Sequence, residues 1–136
     1  MNVSLLRSTF ATLAPRADDV AQRFYARMFA VYPQVVPLFR NTDPATQRRK
    51  LMASVAAVVS LVDRPDELEP VLAQMGISHN GYGVEPVQYE YVCASMLATL
   101  AETFGEAWTA EVSDTWAAAL RHVSDRMIAA QQAAAA

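Results

Sequence analysis

The sequence is poor in cysteine, in glycine and in charge of either sign. Its single cysteine, Cys93, can form neither an internal disulfide nor a multi-cysteine zinc site, and a reducing compartment is expected. Glycine occurs only four times while alanine is abundant. No useful length of chain alternates apolar and polar residues with period two, so strands are not expected and the chain reads as all-α. No apolar run approaches the roughly 18 residues of a membrane span. The opening, MNVSLLRSTFATLAPR, has neither a continuous apolar region nor a small-residue cleavage site, and a soluble, cytoplasmic protein is expected. Net charge is −3 and the one dense basic cluster is QRRK at 47–50, which favours neither nucleic acid nor an anionic membrane as a partner.

What the chain does have is apolar material for one core. Hydrophobic residues make up 53% of its 136 residues and charged residues 18%, the balance of a globular chain of one domain. Proline and glycine punctuate it. Pro15 and Pro86 each precede a periodic stretch, and Asp43-Pro44 couples a capping aspartate to a first-turn proline. Between these marks apolar residues recur at helical spacing: Phe24, Tyr25, Met28, Phe29 and Tyr32, then Leu51, Val55, Val58, Val59 and Val62, then Leu68, Val71, Leu72 and Met75. Tyr89, Val92, Cys93, Met96, Leu97, Leu100 and Phe104 form the fullest stripe, and Trp108, Val112, Trp116, Ala119, Val123 and Met127 the last. The piece PQVVPLFRNTD cannot be a long helix because Pro33 and Pro37 interrupt it. There is no internal repeat. Residues 1–132 are expected to form the domain. The alanine-rich tail 133–136 reads as a fraying helix end, a linker or a cloning remnant.

Catalytic motifs are scarce. No serine lies in a nucleophile-elbow pattern, and no glycine-rich phosphate loop, HExxH or paired-histidine motif occurs. Cys93 falls on the apolar face of its stretch and reads as an inert buried thiol. Of the two histidines, His122 reads as a surface or edge residue. His79, ahead of Asn80-Gly81-Tyr82-Gly83, has two readings: a helix-end residue whose ring meets the helix dipole, or a ligand. One histidine does not hold zinc, but one suffices for haem.

The segment FYARMFAVYPQVVPLF at 24–39 resembles the second and third helices of bacterial single-domain haemoglobins and of the globin domain of flavohaemoglobins. The spacing on to Gln47 and Leu51, the run from His79 through YGV to Tyr89, and the Trp116 region resemble them too, over nearly the whole chain. The resemblance implies a globin fold around one haem b, with His79 as the proximal iron ligand and the nearby glycines letting the chain leave the helix sharply. It implies Phe39 packed on the haem face, Leu51 and Val55 in the distal wall, and Tyr25 and Gln47 as the distal polar residues. Oxygen bound to ferrous iron carries partial negative charge, which aimed O–H or N–H donors stabilise more than they do carbon monoxide. Tyr89 matches a tyrosine that helps hold the proximal histidine together with a glutamate of the last helix, but an ungapped count from Trp116 puts Gln131 at the glutamate position. A neutral amide there implies a weaker electron push. Lys50, or its neighbours Arg48 and Arg49, is placed to pair with a haem propionate, with a solvated basic face as the simpler account.

The function so implied is reversible binding of oxygen, nitric oxide or carbon monoxide. Two alternatives accompany it: a nitric oxide dioxygenase working with a separate reductase, and the gas-sensing domain of a larger signalling protein. A haem-less interaction module is disfavoured by the joint presence of His79, Tyr25 and Gln47. Neither oligomeric state nor oxygen affinity follows from the sequence.

Overall fold

In the computed structural model, which describes residues 1–80 (of Asn80 the backbone only) and 83–135, two helices begin at the prolines the sequence marks. Asp43 is extended and its carboxylate accepts from the Thr46 N–H at 3.0 Å, with Pro44 in the first turn, so helix α3 runs Pro44–Leu61. The Thr46 hydroxyl, which donates to the same carboxylate at 2.8 Å, and the Thr46 N–H hold the Asp43 carboxyl below its ordinary range. Glu85 and Gln88 form a capping box ahead of Pro86, and α5 runs Pro86–Phe104. The other long helices are α1 (Val3–Leu13), α2 (Ala17–Val31), α4 (Pro65–Asn80) and α6 (Ala110–Ala135). Pro33 and Pro37 confine the segment between α2 and α3 to a 3₁₀ run, Pro33–Phe39.

Helix α1 was not marked by the apolar stripes read from the sequence, yet Leu6 and Leu13 on it are fully buried. The Trp116 indole N–H donates to Thr9 Oγ1 at 2.9 Å and fastens α6 to α1. Trp108 also departs from expectation: it lies just after the 3₁₀ turn Gly105–Ala107 and before α6, stacked on Phe104. The alanine-rich end continues α6 through Ala135, and Ala136 lies outside the described residues.

The main core gathers Leu6, Val20, Phe24, Met28, Leu100 and Trp116 from α1, α2, α5 and α6. Burying a side chain such as Phe24 stabilises the fold by about 1.5–3 kcal/mol. A second cluster joins Leu68 and Leu72 of α4 to Tyr89 and Met127. Helix α4 packs chiefly on α6 and only sparsely on α3. Gly76 is what permits that approach, because a Cβ there would collide with the backbone of Met127. Among the described residues no helix is long and apolar enough to cross a membrane.

Candidate functional site

Two groups of polar side chains are set into this frame. In the first, the Gln47 amide on α3 donates to the Tyr25 hydroxyl on α2 at 3.1 Å. The phenol oxygen is thus the acceptor, and no acceptor for its own proton is found among the described residues. Burial raises the Tyr25 pKa and the Gln47 bond only partly opposes it, so the group stays a protonated donor at neutral pH. Accepting one hydrogen bond also polarises the hydroxyl towards donating another. Phe24, Phe29 and Phe39 surround the ring with centroids 4.9, 5.8 and 5.6 Å away. Tyr25, Phe29, Phe39 and Gln47 line a cavity of about 390 Å³, with Gln22 and Arg48 beside them.

The second group surrounds His79 in the last turn of α4. Its Nδ1 lies 2.6 Å from the Met75 carbonyl oxygen. A carbonyl only accepts, so Nδ1 carries the proton and the basic lone pair of the neutral ring is at Nε2. The ring centroid is 6.0 Å from that of Tyr89 on α5. Tyr89 is buried and donates from its hydroxyl to Gln131 Oε1 at 2.7 Å. Burial pushes the phenol up to about 12. The Gln131 amide N–H in turn donates to the Val84 carbonyl, which fixes the amide's orientation, and the Val84 N–H reaches back to the His79 carbonyl at 3.3 Å. Gln131 therefore bridges α6 to α5 and to the turn after His79. Gly83 in that turn has φ +74°, a conformation glycine adopts without strain. Gly81, invoked with it for the sharp exit from the helix, lies outside the described residues.

Leu51 and Val55 pack against the main core but stay half-buried, as does Met52 beside them. Apolar residues left half-buried on α3, together with the sparse contact between α3 and α4, fit a flat apolar group inserted between those helices. The tautomer imposed on His79 fits metal ligation through Nε2. On these observations the residues present fit a haem.

The basic run divides. Arg48 donates to Asp18 at 2.8 Å and Arg49 to Thr46 at 3.1 Å, whereas Lys50 is exposed with no ion pair among the described residues. His122 is exposed, 3.4 Å from Glu69, which also receives Arg126 at 2.8 Å. Cys93 is half-buried beside Ser124 at 3.1 Å, and burial pushes its thiol up, away from reactivity. Sequence reasoning passed over Met75, although its place one turn before His79 could have suggested the bond. It also passed over Val84 and Asp18, which no local pattern ties to the site.

Six α-helices among the described residues, a histidine whose ring is fixed by the Met75 carbonyl, and two tyrosine–glutamine hydrogen bonds belong to a recognisable class. Residues 22–127 match the family model described as Globin, and the chain belongs to the globin family. The flavohemoprotein of Bordetella parapertussis is 32% identical over 132 residues, covering 96% of this chain and 33% of the relative. That of Deinococcus radiodurans is 31% identical over 127 residues, covering 92% and 32%. The chain thus spans about a third of the length of these curated relatives. A bacterial globin from Campylobacter jejuni superposes with a TM-score of 0.84 at 18% identity, covering 96% of this chain and 94% of that one, which shows the same fold.

Proposed function

We propose that the chain binds haem b and takes up oxygen, nitric oxide or carbon monoxide reversibly. The observation that carries this reading is Tyr25: a half-buried hydroxyl that accepts from Gln47 and has its own proton left to give. Haem supplies an iron centre at which a diatomic gas attaches. His79 would hold that centre through Nε2, with the Met75 carbonyl fixing its ring. Tyr25 would donate to the partly negative end of an oxygen molecule, with Gln47 orienting Tyr25 and sharing the task. Phe39, Leu51 and Val55 would pack on the group and exclude water, and Lys50, exposed and without an ion pair among the described residues, would pair with a propionate. Tyr89 and Gln131 support the proximal side as a neutral pair, so His79 receives no push from a carboxylate on Gln131's position.

The test is an absorption spectrum of the purified chain in ferric, ferrous and carbonmonoxy forms. A Soret band that moves on reduction and again on carbon monoxide addition is expected. A chain that takes up no haem when reconstituted would overturn the reading.

A second reading is a nitric oxide dioxygenase, favoured by relatives whose name joins flavin and haem and of which this chain matches about a third. It requires a separate reductase to deliver electrons. Nitrate formation from nitric oxide with a flavin reductase added, and none without it, would separate this reading from simple gas carriage. A place in a larger sensor is a third option, with residues 1–132 as the gas-binding domain.

A further inference from the structure

We propose that the cavity between α2 and α3 is the path by which a diatomic ligand reaches Tyr25, and that the Asp18–Arg48 ion pair at its rim sets how fast the ligand passes. The inference rests on the gas-binding reading above. Its basis is a ladder of two contacts between the same helices. Asp18, Gln22 and Tyr25 follow one another on one face of α2 at i, i+4 and i+7. The inner rung is Gln47 to Tyr25 at 3.1 Å, on the half-buried floor of the cavity. The outer rung is Arg48 to Asp18 at 2.8 Å. The second carboxylate oxygen of Asp18 takes the Gln22 amide at 2.9 Å. One carboxylate thereby ties together Gln22 and Arg48, two of the residues that line the cavity. The Asp18 pKa is lowered, first by Arg48 and then by Gln22.

The outer rung is made of groups that water reaches, so it opens and closes quickly, whereas the floor is walled by aromatic rings. A small neutral ligand needs only the brief opening. A barrier on the path slows arrival and departure alike and leaves affinity unchanged, because neither end state touches Asp18 or Arg48.

The experiment measures carbon monoxide association by laser photolysis and dissociation by ligand replacement on the haem-loaded chain, in Asp18→Asn, Arg48→Met and the double variant. Both rates are expected to rise together by about two- to fivefold, the range an exposed ion pair can supply. The double variant should match the singles, since one contact is lost in each. High salt should speed the unaltered chain and leave the variants unmoved. Hydrogen exchange across residues 44–52 should also quicken in each variant, a readout that does not involve the gas. Unchanged rates in a chain that does form the carbon monoxide complex overturn the gate alone. A change confined to dissociation also overturns it, and means that Arg48 acts through Gln47 on the bound ligand. A chain that forms no complex removes the function reading and the gate with it.

Discussion

Tyr25 and Gln47 meet across two helices with strong local signals, whereas His79 rides on a helix that is weak by itself. Helix α3 opens with Asp43-Pro44 and its capping bond, and its tie to α2 is made by side chains whose spacing is visible in the sequence. Helix α4 contains Pro70 in its interior and Gly76 one turn before His79. Both are poor helix residues, glycine by about 1 kcal/mol and proline by about 3 relative to alanine. What holds α4 is its packing on α6, through Leu68, Leu72 and the close approach at Gly76. The same α6 then supplies Gln131 to the turn beyond His79. The Tyr25–Gln47 group is therefore specified locally and the His79 group by a distant helix.

The sharpest way to break the comparison is to remove the His79 imidazole, the proposed iron ligand. His79→Gly should lose haem, or keep it only with added imidazole, while His122→Ala keeps the spectrum of the unaltered chain. Equal behaviour of the two variants in absorption titrations would take the ligand role away from His79.

On the distal side, Tyr25→Phe should speed oxygen dissociation by about tenfold or more, since a hydrogen bond to a partly charged group is worth about 1.5–3 kcal/mol. Carbon monoxide dissociation, followed by stopped flow in the same variant, should change far less. Gln47→Leu should act in the same direction and more weakly. An oxygen off-rate that stays put or falls in Tyr25→Phe would mean that Tyr25 is not the donor.

Gly76→Ala separates helix propensity from packing. An alanine in an isolated helix would help by about 1 kcal/mol, but here its Cβ meets the Met127 backbone, and overpacking costs about 1–3 kcal/mol. Thermal unfolding should show a lower midpoint together with faster haem loss. A raised midpoint would show that α4 does not depend on that approach.

Alkaline pH probes the same side. The Tyr89 phenol is pushed up from 10.0 to about 12 in the folded chain. The unfolded chain therefore gives up this proton first. The stability this group contributes is present below pH 10 and is lost as pH rises towards 12. Tyr89→Phe should flatten part of that loss in denaturant titrations between those limits.

The smallest expected effect is spectroscopic. Gln131→Glu puts a carboxylate where the Tyr89 hydroxyl now meets an amide, and should raise the iron–histidine stretching frequency in resonance Raman. Oxygen affinity should move little by comparison. A frequency that does not shift would leave Gln131 as a structural bridge with no influence on His79.

The sequence alone determined helix limits where a proline pair broke the chain or a proline stood in a first turn, because those signals act within a turn or two of the residues that carry them. Pro33–Phe39 and the starts at Pro44 and Pro86 are such cases. It also put Tyr25 and Gln47, and Tyr89 and Gln131, forward as pairs through family resemblance, and in the fold each pair is joined by a hydrogen bond. Only the tertiary structure decided the direction of those bonds, the tautomer that Met75 imposes on His79, and the diversion of Arg48 to Asp18. Helix α1 was underread because its Leu6 and Leu13 are too few to mark a stripe until α6 packs across them. Nor does the sequence around Gly76 show why a glycine stands there. It lies inside α4 because the backbone of a helix some fifty residues away (Met127 of α6) occupies the space a side chain would need, and contacts over that separation leave no periodic trace in the chain.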